Sequence, residues 1–426
     1  MATLRVVVGL RSRPAALVVI LSAAVALGFI LLYLICSTWI YEVDLGVYRD
    51  GALSAWRNTD LYSLRFAPSG LPFTYPPAAA VLLTPFALLP VVPSQLIWTI
   101  GCIASVVAFA IICVRRYLQP TPKYARVAVA VTIALALGCD PTRVGTLAGQ
   151  INALLALVIV LDLNRMTGRL PQGVLIGLAA GVKLIPLFLI MYLLVTRRFK
   201  AAIVATITFG LVTAIGLMAL PQISASYWDG YFWDSQRIGG IEYISNQSIH
   251  GVLIRTLGGY SSSSVPWLVA AVVLTVASMW VCRRIWRQLP RAADAVAIGA
   301  MLLVSPVSWS PHWILVLPII LVAFRLAWLM RSKILFGVAS VTAACISIGF
   351  IWFVPHNHEV EYRHAWWQVV IGNSYVLLGL ALTITLGACA LRWVDALTLP
   401  TDIVDQIRKS QLRSAVTRRW RSSSVL

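Results

Sequence analysis

The 426-residue chain is 60% hydrophobic and only 12% charged, with a mean hydropathy of +0.85. Soluble domains run at roughly half apolar and a quarter charged, so this composition excludes a soluble globular domain and indicates an all-α polytopic membrane protein. A formal charge of +19 does not indicate a nucleic-acid partner, because Lys and Arg sit in short clusters between apolar runs, as cytoplasmic loops require.

The first apolar run, Pro14 to Ile40, follows Arg5, Arg11 and Arg13. It has the length of a full span, exceeds a signal peptide's apolar core and lacks a small-residue cleavage site, so it reads as a retained helix. Tyr41-Glu42-Val43-Asp44-Leu45-Gly46-Val47-Tyr48-Arg49-Asp50 follows at once. Carboxylates at the mouth of a membrane helix are costly unless they face water or do chemistry, and Asp44 is the candidate general base. The short, proline-bracketed apolar run up to Pro90 is expected as a surface helix within the first outer loop, residues 41–92.

Pro93 to Val114 returns inward to Arg115 and Arg116. The next run emerges at Asp140-Pro141-Thr142-Arg143, and Ile151 to Leu163 goes back to Arg165 and Arg169. Gln172 to Val195 is basic at both ends, so it must enter and leave, breaking at Gly181-Val182-Lys183-Leu184-Ile185-Pro186 into two short limbs. Ala201 to Leu220 opens a long outer loop, 221–264, rich in Tyr, Trp and Asp. Further runs end at Arg283 and Arg284, at Ser305-Pro306-Val307-Ser308-Trp309, at Arg331, at Val354 and near Arg392.

The expected layout is about 12 crossings, counting the two limbs, with both termini cytoplasmic. Residues 1–392 form one transmembrane unit and residues 393–426 a basic tail suited to anionic headgroups. Only seven of the 34 Lys and Arg fall in outer loops, against ten of the 15 Asp and Glu, so the acidic, chemically rich side faces away from the cytoplasm. The seven cysteines lie in or beside apolar runs with no paired spacing and read as small hydrophobes.

On that outer side acids stand beside aromatics: Asp44 with Tyr41 and Tyr48, Asp229 with Trp228 and Tyr231, Asp234 with Trp233, Glu361 with Trp366 and Trp367. Aromatic faces and carboxylates suit sugar rings, although Trp and Tyr also gather at membrane interfaces for their own reasons. Lys183, in a broken apolar segment, is expensive unless it meets an anion such as a lipid-linked phosphate. His312, with Asn246-Gln247-Ser248, offers further donors to phosphate or hydroxyl oxygens. His356, His358 and His364 share a loop with Glu and Arg and read as solvated rather than metal-bound. No glycine-rich phosphate loop follows a predicted strand, so nucleotide use has no support.

Val43-Asp44-Leu45-Gly46-Val47-Tyr48, Leu71-Pro72-Phe73-Thr74-Tyr75-Pro76-Pro77, Gly149-Gln150-Ile151-Asn152, Gly181-Val182-Lys183 with Pro186, Asn246-Gln247-Ser248, and Ser305-Pro306-Val307-Ser308-Trp309 with His312-Trp313 stand in one order. Together they resemble glycosyltransferase family 87, the actinobacterial polyprenol-phosphate-mannose-dependent α-1,2-mannosyltransferases of phosphatidylinositol mannosides and lipomannans. The resemblance implies a GT-C fold with catalysis on the periplasmic side and Asp44 in the place of the acid. It implies surface helices beneath the site near Tyr75, and Lys183 and His312 lining a donor pocket. Tyr48, Gln150, Asn152, Asn246 and Gln247 are substrate-binding candidates through the same motifs. The partners implied are a polyprenyl-phosphate-linked sugar, a glycolipid acceptor and the bilayer. No cofactor or metal is required. One departure is Pro311, where the family carries a histidine.

The rival readings are an arabinosyl- or other sugar transferase using a similar donor, and a lipid-linked sugar flippase. Transporters place charge at the bilayer midplane and often carry an internal repeat. Here the acids crowd one face and no repeat is visible.

Overall fold

The computed structural model describes residues 2–57, 60–234 and 236–398, with side chains from residue 14 on except at 236 and 398. The basic tail expected over 393–426 lies outside the described residues from 399 on. Among the described residues there is no strand, only isolated bridges between Phe66 and Leu71 and between Asn246 and Trp309.

Helix α1 (Ala2–Trp39) runs into α2 (Val43–Trp56), and α3 (Pro77–Ala87) packs on α2. A long α4 (Val91–Cys113), continued by a π-helical turn over Val114–Leu118, precedes α5 (Pro122–Gly138), α6 (Asp140–Leu147) and α7 (Asn152–Leu163). The pair α8 (Val174–Val182) and α9 (Leu187–Val195) leads into α10 (Phe199–Ala219). The long loop holds α11 (Pro221–Ser226) and α12 (Ile249–Leu257), after which α13 (Tyr260–Ile285) and α14 (Pro290–Val304) form an antiparallel pair. A 3-10 helix over Ser310–Leu315 opens α15 (Val316–Met330), followed by α16 (Lys333–Ile348), α17 (Trp366–Gly372) and α18 (Ser374–Thr398).

Among the described residues six helices are long and apolar enough to span a membrane: Pro14–Trp39, Val91–Leu118, Phe199–Ala219, Tyr260–Ile285, Ser310–Met330 and Ser374–Leu397. A seventh is the pair α5–α6, bent by 53° where Cys139 turns extended before the Asp140-Pro141 start. Each of the 12 expected crossings falls on a helix, but the remainder are short. The limbs α8 and α9 have nine residues each, about 14 Å, or half the apolar thickness of a bilayer. Their open ends meet, since Gln172 and Arg198 line one cavity, while Lys183 at the tip is extended (φ −147°, ψ 122°). They are the two short limbs expected on either side of the break at Lys183.

Large apolar side chains on α1, α10 and α13, such as Ile20, Leu211 and Val273, face outward, as lipid-facing helices require. The interior is built on α14, buried from Ala292 to Leu303, with α4, α7, α15 and α18 around it. Trp313 is fully buried against Tyr375, and a Cβ on Gly379 would meet its ring at 2.4 Å. Helix α3, expected at the outer surface, packs buried Ala78, Ala79 and Ala80 on its neighbours and leaves Leu82 exposed, and a Cβ on Gly216 of α10 would stand 2.8 Å from the Ala78 nitrogen.

Candidate active site

Asp44 lies in the first turn of α2, where an anion is favoured by the free N–H groups of the helix end. Its own N–H donates to the Ala148 carbonyl at 2.8 Å, fixing α2 to the turn between α6 and α7. That turn needs Gly149: φ is +74°, and a Cβ there would approach Leu45 Cβ to 2.7 Å and Glu42 Oε2 to 2.8 Å. The next residue, Gln150, is thereby delivered to Asp44, its Nε2 donating to Oδ2 at 3.0 Å.

One face of α4 holds this arrangement from behind. Gln95, Trp98, Thr99 and Cys102 recur at helical spacing. Gln95 Nε2 donates to the Ser37 and Ile40 carbonyls (2.9 and 2.7 Å), capping the end of α1. Trp98 Nε1 donates to Gly149 O at 2.8 Å, Thr99 donates to Glu42, and the Cys102 thiol approaches Gln150 O at 3.7 Å.

From Asp44 a chain of side chains leads to the tip between the two limbs. Lys183 Nζ donates to Asn152 Oδ1 at 2.9 Å, Asn152 Nδ2 donates to Gln150 Oε1, and Gln150 donates to Asp44. Lys183 also donates to the Tyr75 hydroxyl at 3.2 Å, which pairs with the Tyr48 hydroxyl at 2.7 Å, and it lies 5.1 Å from the centre of the Tyr75 ring. Burial pushes the Asp44 carboxyl up to about 6, with the Gln150 hydrogen bond and the Lys183 charge pulling the other way. Burial likewise raises Glu42 to about 7, opposed by Thr99.

Two cavities open on Asp44. The first, about 430 Å³, is lined by Lys183, Arg237 and His312 and by apolar groups including Phe188, Phe232, Met301 and Val304. Both ring nitrogens of His312 are buried there without a hydrogen-bond partner among the described residues. The second, about 620 Å³, is lined by Tyr48, Arg65, Glu242, Glu359, Glu361, Trp309 and Trp352. Asp44, Tyr75 and Gln150 border both. The 3-10 turn at Ser310–Leu315 divides them, with Pro311 on the second cavity and His312 on the first.

The structure thus brings together Asp44, Tyr48, Tyr75, Gln150, Asn152, Lys183 and His312. Asn246 and Gln247, expected at the substrate, line neither cavity. Their side chains are spent on backbone: Asn246 donates to Ile241 O and accepts from Ser308 N, and Gln247 donates to the Ile244 and Gly372 carbonyls. They staple the long loop to the Pro306–Trp309 stretch. Asp229 is exposed, and Glu361 accepts from the Ile244 and Asn357 amides. His356 and His364 bond the Val354 and Pro355 carbonyls, and no group of three or more metal-ligating side chains occurs among the described residues.

Arg237 escaped the reading of the sequence. Its guanidinium donates to the Tyr231, Phe73 and Thr74 carbonyls and packs over the rings of Tyr62, Tyr227 and Tyr231 at 5.0–5.6 Å. The available signal was one of two arginines, with Arg255, in a tyrosine-rich outer loop that also holds Asp229, Asp234 and Glu242.

The profile of glycosyltransferase family 87 matches residues 73–306, a stretch containing Tyr75, Gln150, Asn152, Lys183 and Arg237. A protein of Mycobacterium tuberculosis (strain ATCC 25618 / H37Rv), named polyprenol-phosphate-mannose-dependent alpha-(1-2)-phosphatidylinositol mannoside mannosyltransferase, is 30% identical over 86% of this chain and 89% of its own length. A protein of the same name from Mycolicibacterium smegmatis is 29% identical over 82% of this chain and 84% of its own. A pentamannoside mannosyltransferase of Mycobacterium tuberculosis (strain CDC 1551 / Oshkosh) is 31% identical over 66% and 65%. With the motifs gathered around Asp44 and the similarity running through most of both chains, this protein belongs to glycosyltransferase family 87.

Proposed function

We propose that this protein transfers mannose from polyprenyl-phosphate mannose to a hydroxyl of a phosphatidylinositol-mannoside acceptor, forming an α-1,2 linkage. The observation that carries the reading is the meeting of two chemically different cavities at one carboxylate. The apolar, cation-bearing cavity suits a lipid phosphate and its isoprenoid stem. The acidic, tryptophan-lined cavity suits the hydroxyls and C–H faces of an acceptor glycan.

In the reaction, the acceptor oxygen attacks the anomeric carbon while the bond from that carbon to the phosphate oxygen breaks, inverting a β-linked donor to an α-product. Asp44 removes the hydroxyl proton as the new C–O bond forms. Polyprenyl phosphate departs with the bonding electrons, and its charge is met by Lys183, with Arg237 and His312 around it. Gln150 and Asn152 hold base and cation in register. The site faces outward from the cytoplasm on a GT-C scaffold with cytoplasmic termini, a layout supported by the segregation of basic and acidic residues along the chain.

The test is transfer of labelled mannose from polyprenyl-phosphate mannose to phosphatidylinositol mannosides in membranes carrying wild type or Asp44→Asn at equal expression. Transfer by wild type and its loss in the variant support the reading. Wild-type transfer of arabinose but not mannose would overturn the donor assignment, and undiminished transfer by Asp44→Asn would overturn the base.

A further inference from the structure

The end of the bundle opposite Asp44 carries a groove that the transfer reaction does not use. From His312 the 3-10 turn and α15 run roughly 30 Å to Arg331, and α4 runs the same way from its Thr99 face to the π-helical turn at Leu118. Between these far ends and the start of α16 lies an open-sided groove of about 990 Å³. Its floor is the Leu118–Thr121 link, where the π turn stops at Gln119 in a left-handed conformation (φ 51°) and Pro120 prevents the helix from continuing.

The walls are apolar, with Phe324, Trp328 and Phe336 along them. The polar rim is cationic: Arg325, Arg331 and Lys333 line it, and among the described residues no Asp or Glu does. Arg331 and Lys333 are exposed. Arg325 is different, because it sits inside the Ser310–Met330 span, about one and a half turns before its end. It is partly buried and forms no hydrogen bond or ion pair among the described residues. A guanidinium at that depth in an apolar span is costly unless an anion meets it.

We propose that this groove binds an anionic glycerophospholipid from the leaflet opposite the active site, its phosphate held by Arg325, Arg331 and Lys333 and its acyl chains lying along Phe324, Trp328 and Phe336. Charge complementarity selects the occupant. The chain's own C-terminal segment, with Arg408, Lys409, Arg413, Arg418, Arg419 and Arg421, would be repelled by a rim of three cations. The reaction's own lipid phosphate has a separate cationic cavity beside Asp44. A bound lipid would brace the far ends of the two helices that carry His312 and the α4 face behind Asp44.

The experiment uses the full-length protein in phosphatidylcholine nanodiscs doped with phosphatidylglycerol. Wild type should take up phosphatidylglycerol preferentially and melt at a higher temperature with it. Arg325→Gln should weaken uptake by about fivefold, the worth of one cation near a lipid surface. Arg392→Gln, which removes an exposed charge outside the groove, should leave uptake unchanged. Equal uptake by Arg325→Gln and wild type would overturn the proposal, as would equal protection by phosphatidylcholine.

A second measurement needs no variant. Phosphatidylglycerol with a photoreactive acyl chain should label wild-type peptides from the start of α5, the end of α15 and the start of α16. Labelling spread evenly over the exposed faces of α10 and α13 would overturn the site. Retention of polyprenyl phosphate alone in the groove would overturn its occupant.

Discussion

Asp44 is held between opposing influences, and if it is the proposed base its protonation sets the acid limb of the pH profile. Burial raises the carboxyl to about 6, above the ordinary aspartate range, while Gln150 and Lys183 favour the charged form. A base must be ionised, so kcat/KM should fall as pH drops through about 6, read from initial rates of mannose transfer. Glu42, raised to about 7 in the turn before α2, could shape the same limb. The profile of Glu42→Gln should keep its acid limb near 6 if Asp44 is the group observed. Gln150→Leu removes a hydrogen bond to the ionised form, so the limb should move to higher pH and kcat should fall by about 10- to 100-fold, the worth of a hydrogen bond to a charged group. Asp44 and Lys183 were legible in the sequence because each breaks a local rule, charge in or beside apolar helix. Asn246 and Gln247 carry the same outward signal of polar residues beside aromatics. Whether an amide faces a cavity or a backbone carbonyl depends on packing that residue type does not encode.

At the scale of elements, α4 is the buttress of the site, with Gln95, Trp98, Thr99 and Cys102 on one stripe engaging the end of α1, Glu42 and the Gly149-Gln150 turn. Thr99→Val should lower kcat while leaving the helical content unchanged by circular dichroism. Gly149→Ala should be harsher. Its Cβ would collide with Leu45 and Glu42 at a positive φ, at a cost of about 1–3 kcal/mol, seen as a lowered melting temperature together with lost transfer. The Gly149-Gln150-Ile151-Asn152 motif was visible along the chain, but its service to Asp44 was not, because the hydrogen bond closes over 106 positions. Arg237 was missed for the same reason: its contacts to Phe73 and Thr74 span 164 and 163 positions.

For the molecule as a whole, the apolar runs and their basic flanks located the helices. Six of the expected crossings fall on helices of full span length among the described residues, while the two limbs and α7 are shorter than a bilayer core. Helix length follows from caps and breaks such as Pro186 and the Asp140-Pro141 start, which hydropathy alone blurs. The bundle is locked where the fully buried Trp313 packs on Tyr375 and Gly379 of α18, and Trp313→Ala should cost about 3–5 kcal/mol, measured as a lower thermal midpoint in detergent. The side-chain chain from Lys183 to Asp44 has a further consequence for turnover. Its two middle members are carboxamides, whose N–H groups orient neighbours yet do not pass a proton along. On the proposed mechanism the proton captured by Asp44 therefore does not drain along these carboxamides to the lysine. In the proposed reaction it leaves by the cavities that border Asp44, so the base resets only once one of the two products has cleared the way.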